Sequence, residues 1–278
     1  MNYIARFGMV CVAAWSISAP AWADLKLGVF PRFPAQDAVQ AFKPLAEYLG
    51  EKVELIPGKD FPSFWEAVEA KQFDVVYYNQ YHYVLSHDSL GYKAIVANIE
   101  EGSKQIAGGL FARSDSGINS IADIKGKTII FAGDEKAMGS YIAQTALLRK
   151  AGLVEGKDYT AKFAKNPPST FMAVFNKQAD VAGAGNVVLN SPPVKKAIDV
   201  TQMKSIAESE PFVHLTWAVS AAVDEAKAKK IQNAMAGLDA KNPEHAAILK
   251  AARVDGFYPV TEKDYEKVRE MVKQATDK

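Results

Sequence analysis

The sequence predicts an α/β protein of two lobes, each with a mainly parallel sheet. Short apolar runs alternate with segments whose apolar residues recur every three to four positions, as strands alternating with helices do. The 278-residue chain is 49% apolar, enough to bury one large core or two moderate ones. It has no internal repeat, low-complexity tract or long linker, so two lobes would be joined by short crossings, read near 100–110 and 215–225. Two short crossings make a hinge.

The chain opens on Arg6, an apolar run from Phe7 to Ile17, and Ala21-Trp22-Ala23, a small-x-small cleavage pattern. The run is too short to cross a bilayer, so residues 1–23 read as a signal peptide cut after Ala23, and the mature protein is expected in the periplasm. The single cysteine, Cys11, lies inside it, which leaves no disulfide and no thiol nucleophile in the mature chain. Cys11 follows Met9-Val10 rather than a lipoprotein box, so a lipid anchor is the weaker reading. Losing Arg6 brings the 33 basic residues to 32, equal to the 32 acidic ones. A neutral, mixed surface gives no electrostatic reason for nucleic acid or anionic lipid as partner.

Leu25 to Phe30 reads as a buried strand stopped by Pro31. Ala38, Val39, Phe42, Leu45, Tyr48 and Leu49 then form the apolar face of a helix ended by Gly50. Val53–Ile56 reads as a strand, 63–70 as a helix, Phe73–Tyr78 as a strand, Tyr81–His87 as a short helix and Tyr92–Ala97 as a strand. In such a sheet the ligand sits beyond the carboxyl ends of the strands, where the loops after Phe30, Ile56 and Tyr78 meet. A second lobe begins with strands at 108–112 and 127–131. Helices at 139–151 and from Ser169, a strand at 180–182 and another at 215–220 follow. The helix at 224–238 is expected to carry the chain back, so the lobes are drawn as 24–107 with 221–278, and 108–220.

Several of these segments, in this order, resemble the phosphate/phosphite/phosphonate-binding receptors of bacterial ABC transporters. They are Gly28-Val-Phe-Pro31, Pro44-Leu-Ala-Glu-Tyr48, Phe73-Asp-Val-Val-Tyr-Tyr78 with Tyr83, Ser120-Ile-Ala-Asp-Ile-Lys-Gly-Lys127 and the run from Gly256 to Tyr265. The resemblance implies a type II periplasmic binding fold that closes on a small ligand and delivers it to an ABC permease. It also implies two ligand-binding tyrosines and a Ser-Thr-Ser-Gly loop at a helix start, where hydroxyls and N–H groups suit an oxyanion. Tyr83 matches the second tyrosine. The first falls on Phe61, which has no hydroxyl, and the loop falls on Lys136-Ala137-Met138-Gly139, where only the glycine survives. A histidine of the family falls near Pro167 or Pro168. The pocket chemistry has therefore changed. The expected ligand is an oxyanion of the phosphate or phosphonate type or a replacement for it, with Lys136 supplying charge in place of hydroxyls.

The residues themselves nominate an aromatic wall. Tyr77-Tyr78-Asn79-Gln80-Tyr81-His82-Tyr83 ends a strand, and Tyr78, Tyr81, His82 and Tyr83 are taken as cleft residues, with Phe61 and Trp65 as a second wall. Packing beneath the next helix is the competing reading. Trp217 reads equally as a cleft or a core residue. His214 lies near the return crossing, Asn186 is the second lobe's candidate amide and Glu210 its candidate acid. No histidine, cysteine or acidic spacing fits a metal, no cofactor motif is present, and no nucleophile elbow, Walker loop or dinucleotide fingerprint nominates an enzyme. A monomer is expected, partnered by a small molecule and by an ABC permease or, in the alternative reading, the periplasmic domain of a sensor kinase. Replacing Tyr83 or Lys136 is expected to weaken binding without much effect on the unliganded fold.

Overall fold

A computed structural model of the protein describes residues 25–50 and 52–276. The expected signal peptide, with Cys11 and the expected cleavage after Ala23, lies outside the described residues. The first sheet has six strands, in the order Gly256–Pro259, Lys93–Ile99, Thr216–Val219, Val75–Tyr78, Leu25–Val29, Val53–Pro57. Leu25–Val29 runs parallel to both of its neighbours. Helix Ala35–Leu49 covers this sheet with Ala38, Ala41, Phe42, Leu45, Ala46 and Leu49, the three-to-four spacing that puts one face inward. Helix Gln80–Leu90 is capped by the Asn79 side chain, which accepts from the His82 N–H at 3.0 Å, and is closed by Gly91 at φ 79°.

The second sheet has five strands, in the order Met203–Glu208, Gly108–Arg113, Val181–Gly185, Thr128–Ala132, Thr160–Ala164. Thr128–Ala132 is parallel to both neighbours and Gly108–Arg113 antiparallel to both of its own. Between the sheets, Gln105–Ile106 pairs antiparallel with Phe212–Val213 and forms the two-segment hinge. The lobes also touch behind it. Helix Ala143–Lys150 packs on the C-terminal helix Glu266–Thr276, and one apolar cluster runs from the first sheet through Phe212 and Val213 to Met138, Ile142, Ala143 and Ala146.

The return crossing differs from the sequence reading. The strand expected at 215–220 is present as Thr216–Val219, but it is inserted antiparallel between Val75–Tyr78 and Lys93–Ile99 of the first sheet. The chain has therefore crossed back by Phe212–Val213, and helix Glu225–Ala236 packs on the first sheet instead of leading to it. A four-residue buried run carries no mark of the sheet it joins; that is decided by partners far away in sequence. Trp217, within this strand, is a core residue. It is fully buried, stacked on Tyr77 at 4.4 Å and set edge-on to Phe42 and Phe257.

Candidate functional site

A cavity of about 310 Å³ opens between the lobes beside the hinge, the size of a small-molecule site. Its first-lobe wall comes from the loops after the carboxyl ends of the strands: Phe30, Arg32, Phe61, Asn79, Gln80 and Glu100. The second-lobe wall is built the same way, from Gly133 after one strand, Lys165 to Pro167 after another, and Val187 with Val188 after a third. The Ala137–Ser140 turn completes that wall, and Ile106, His214 and Leu215 close the hinge side. Both lobes thus present the end where an open α/β sheet binds ligand.

The cleft floor on the first lobe is an ordered polar network. Arg32 donates from Nη1 and Nη2 to the two Glu100 oxygens at 2.7 and 2.8 Å, and Nη1 also reaches the Tyr77 hydroxyl at 2.9 Å. Asn98 donates to both Tyr77 and Glu100, and accepts from the Trp217 indole at 2.8 Å. Burial alone would raise the Glu100 carboxyl, but its bonds to Arg32 and Asn98 and the nearby His214 hold it down to about 2. Burial pushes the Tyr77 hydroxyl up to about 12. His214 is 3% exposed, and burial with the nearby Arg32 charge lowers it to about 4 against the pull of Glu100. Its Nδ1 accepts from the Leu215 N–H at 2.8 Å, as a neutral imidazole does.

The second-lobe wall has the chemistry of an anion site. The turn from Met138 opens wide, with the Ile142 N–H reaching back to the Ala137 carbonyl at 3.2 Å and the Ala143 N–H to that of Met138. The Ala137 and Ser140 N–H groups are already given to the Asp134 and Ala137 carbonyls, at 3.1 and 3.3 Å, so among the described residues the turn's unspent main-chain donors are those of Met138 and Gly139, both on the cavity lining. Helix Pro167–Phe175 offers no such donors. Pro167 and Pro168 have no N–H, and that of Ser169 is taken by the Asn166 side chain at 3.0 Å. Lys165 on this wall has no carboxylate partner among the described residues, whereas Arg32 opposite is neutralised by Glu100.

Five of the residues nominated from sequence line the cavity: Phe61, Ala137, Met138, Gly139 and His214. Three others form the layer behind Phe61. His82 stacks on Phe61 with ring centres 6.0 Å apart and meets Trp65 at 5.1 Å, and Tyr81 lies edge-on to it. Burial, with Lys136 adding repulsion, lowers His82 to about 4. An amide oxygen only accepts, so the 3.0 Å contact between His82 Nδ1 and Asn79 Oδ1 places the proton on Nδ1.

Five nominations are corrected. Tyr78 is a core residue, its hydroxyl 2.6 Å from the buried Ser86 hydroxyl. Tyr83 also points into the first lobe, where it packs on Tyr265, donates to Glu262 at 2.5 Å and accepts from the Ala94 N–H at 3.1 Å. Both face away from the cleft because they follow the strand and helix periods inward, the packing alternative weighed for them. Lys136 is exposed outside the lining, and only its carbonyl takes part, accepting from Asn79 Nδ2 across the lobes at 3.3 Å. Asn186 is a brace beside the hinge, pairing by main chain and side chain with Ala107. Glu210 is exposed, 3.8 Å from Lys267. Sequence reasoning passed over Arg32, Glu100, Ser140 and Lys165. Only Arg32, directly after Pro31 in the first predicted loop, carried a positional signal.

Fold and cleft together define a two-lobed solute-binding protein of the periplasmic type. The chain belongs to the family described as ABC transporter, phosphonate, periplasmic substrate-binding protein, which matches residues 27–265. The phosphate-import protein PhnD of Mycolicibacterium smegmatis is 24% identical over 270 residues, 88% of this chain and 84% of that one. PhnD1 of Prochlorococcus marinus, solved with methylphosphonate, superposes with a TM-score of 0.74 at 17% identity, over 89% of this chain and 96% of that one. The tetrathionate sensor histidine kinase TtrS of Salmonella typhimurium is 27% identical over 188 residues, 63% of this chain but 30% of the kinase.

Proposed function

We propose that the cleft captures a small oxyanion of the phosphate or phosphonate type and presents it to the permease of an ABC transporter. The observation that carries this reading is the second-lobe wall, where Lys165 lines one cavity together with Met138 and Gly139, whose N–H groups have no main-chain acceptor among the described residues. In place of a hydroxyl cradle, the anion would meet main-chain donors and a single lysine, with Ser140 as the nearby hydroxyl. The apolar first-lobe side, from Phe30 and Phe61, suits an organic substituent better than a second charge. On this reading the protein works by hinge closure without catalysis, a metal or a cofactor, as a monomer released to the periplasm by cleavage after Ala23. The lobes divide at the hinge strands Gln105–Ile106 and Phe212–Val213.

A thermal-shift screen tests the ligand class, because a ligand that binds only the folded form must raise the melting temperature. Phosphate, phosphite, methylphosphonate and larger alkylphosphonates should include at least one saturable shift. Shifts only with uncharged organic solutes would overturn the oxyanion reading. The likeness to TtrS supports a second reading, in which the closed form docks to a sensor kinase. Co-purification with a permease or with a kinase periplasmic domain separates the two.

A further inference from the structure

We propose that Gln144 is the positioning residue of the cleft, locking the ligand-facing turn to the strands that lead into the hinge. The inference rests on reading the cleft as the ligand site. Gln144 lies on the helix behind the turn and is fully buried. Its Nε2, with two hydrogens of which one must be shared, donates among three main-chain carbonyls: Gly139 in the turn at 3.0 Å, Ala184 at 2.9 Å and Gly109 at 3.2 Å.

Those acceptors are not scattered. Gly109 and Ala184 are register partners on adjacent strands. Gly109 lies just beyond the hinge strand Gln105–Ile106, while Gly185, next to Ala184, lines the cavity, as do Gly139 and Ser140. One amide thus ties the turn that faces the ligand to the two strands at the base of the hinge. Turn and hinge must then move as one body when the lobes close.

A filler of the same volume would not need the arrangement found at the other end of the side chain. Gln144 Oε1 is buried without a partner, a condition that buried polar atoms rarely tolerate. A flipped amide would aim an oxygen at three carbonyls, so the orientation is forced. Gly108 supplies the space: a Cβ there would lie 2.9 Å from Oε1 and 2.7 Å from the Ala143 methyl. The orphan acceptor is therefore retained for what the NH₂ group holds in place.

Amide hydrogen exchange and calorimetry with methylphosphonate and inorganic phosphate as probes test the proposal together. In the unaltered protein, the Ser140–Ile142 amides should open with the strand Val181–Gly185 as one unit. Gln144→Met, which keeps the volume, should speed exchange in the turn roughly tenfold or more relative to that strand. It should also weaken a bound probe by roughly tenfold, chiefly through faster release. Gln144→Asn, which withdraws the amide by one methylene, should do the same in smaller measure. Turn amides that already exchange about a hundredfold faster than the strand in the unaltered protein would overturn the proposal, whether or not a variant folds. So would a folded Gln144→Met protein with unchanged turn exchange and probe affinity. If neither probe binds the unaltered protein, the oxyanion reading fails, while the exchange comparison still decides the role of Gln144.

Discussion

Arg32 and Glu100 meet at the cleft floor as a two-pronged ion pair, each guanidinium nitrogen on its own carboxylate oxygen. The Glu100 side chain is 12% exposed and that of Arg32 30%. Among the described residues the pair cancels the fixed charges that the first lobe places on the lining, and it stands on the Tyr77–Asn98–Trp217 network, so it is built into the lobe rather than offered to a ligand. Removing one partner strands the other charge. Arg32→Met should cost about 2 kcal/mol in urea unfolding, below the 3–5 typical of fully buried pairs because Arg32 is partly wet. Adding Glu100→Leu should return part of that loss. Additive costs around the double-mutant cycle would show that the two residues are not coupled.

The same region sets the response to acid. Folded His214 and His82 are lowered from 6.5 to about 4, and Glu100 from 4.5 to about 2. A group with a depressed folded value stabilises the fold above its unfolded value and loses that contribution as pH falls through the folded one. The histidines should therefore erode stability between pH 6.5 and 4, and Glu100 between 4.5 and 2. Each is worth on the order of 3 kcal/mol at most. Melting temperatures taken across that range should fall steadily below neutrality, and His82→Gln should flatten the upper part. A flat profile from pH 7 to 4 would mean that neither histidine is held neutral by the fold.

Tyr83 is a structural residue, and its substitution should behave as one. Tyr83→Phe removes the donor to Glu262 and the acceptor for the Ala94 N–H in a single change. The expected loss is about 1–2 kcal/mol of stability, with affinity for any oxyanion unchanged. The sequence reading expected the reverse, weaker binding with a preserved fold. Parallel thermal and binding measurements on one variant choose between them.

These contrasts show where the sequence is informative. The alternation of strands and helices, the cleft at the strand ends and the turn over 136–139 follow from periodicity and from family spacing, which local chemistry imposes on the chain. Side-chain direction within Tyr78–Tyr83 does not. Tyr78 and Tyr83 point into the lobe while Asn79 and Gln80 reach the cavity, and that division depends on the placement of Thr216–Val219 and the Glu262 segment, far along the chain. Glu100 was hidden for the same reason, since its meaning comes only from Arg32 opposite. Family spacing singled out Lys136 and gave Lys165 no signal, whereas of the two only Lys165 lines the cavity.

That separation gives a direct test of the anion site. Lys165 lines the second-lobe wall without a carboxylate partner among the described residues, and Lys136 is exposed outside the lining. A free cation on a cleft wall attracts an anion through a medium that screens it only partly, whereas a solvated one is weakened within a Debye length of about 10 Å at 0.1 M salt. Lys165→Ala should therefore lower affinity for phosphate or methylphosphonate by roughly 5–10-fold while leaving the unliganded melting temperature within about a degree. Lys136→Ala should change affinity by less than about twofold, and less still as salt rises, because its part in the cleft is a main-chain carbonyl that the substitution keeps. Calorimetric titrations of the two variants at low and high salt make the comparison. A larger loss from Lys136→Ala would mean that its side chain swings into the cleft on closure, and would return the charge-compensating role to the loop that the family spacing marks.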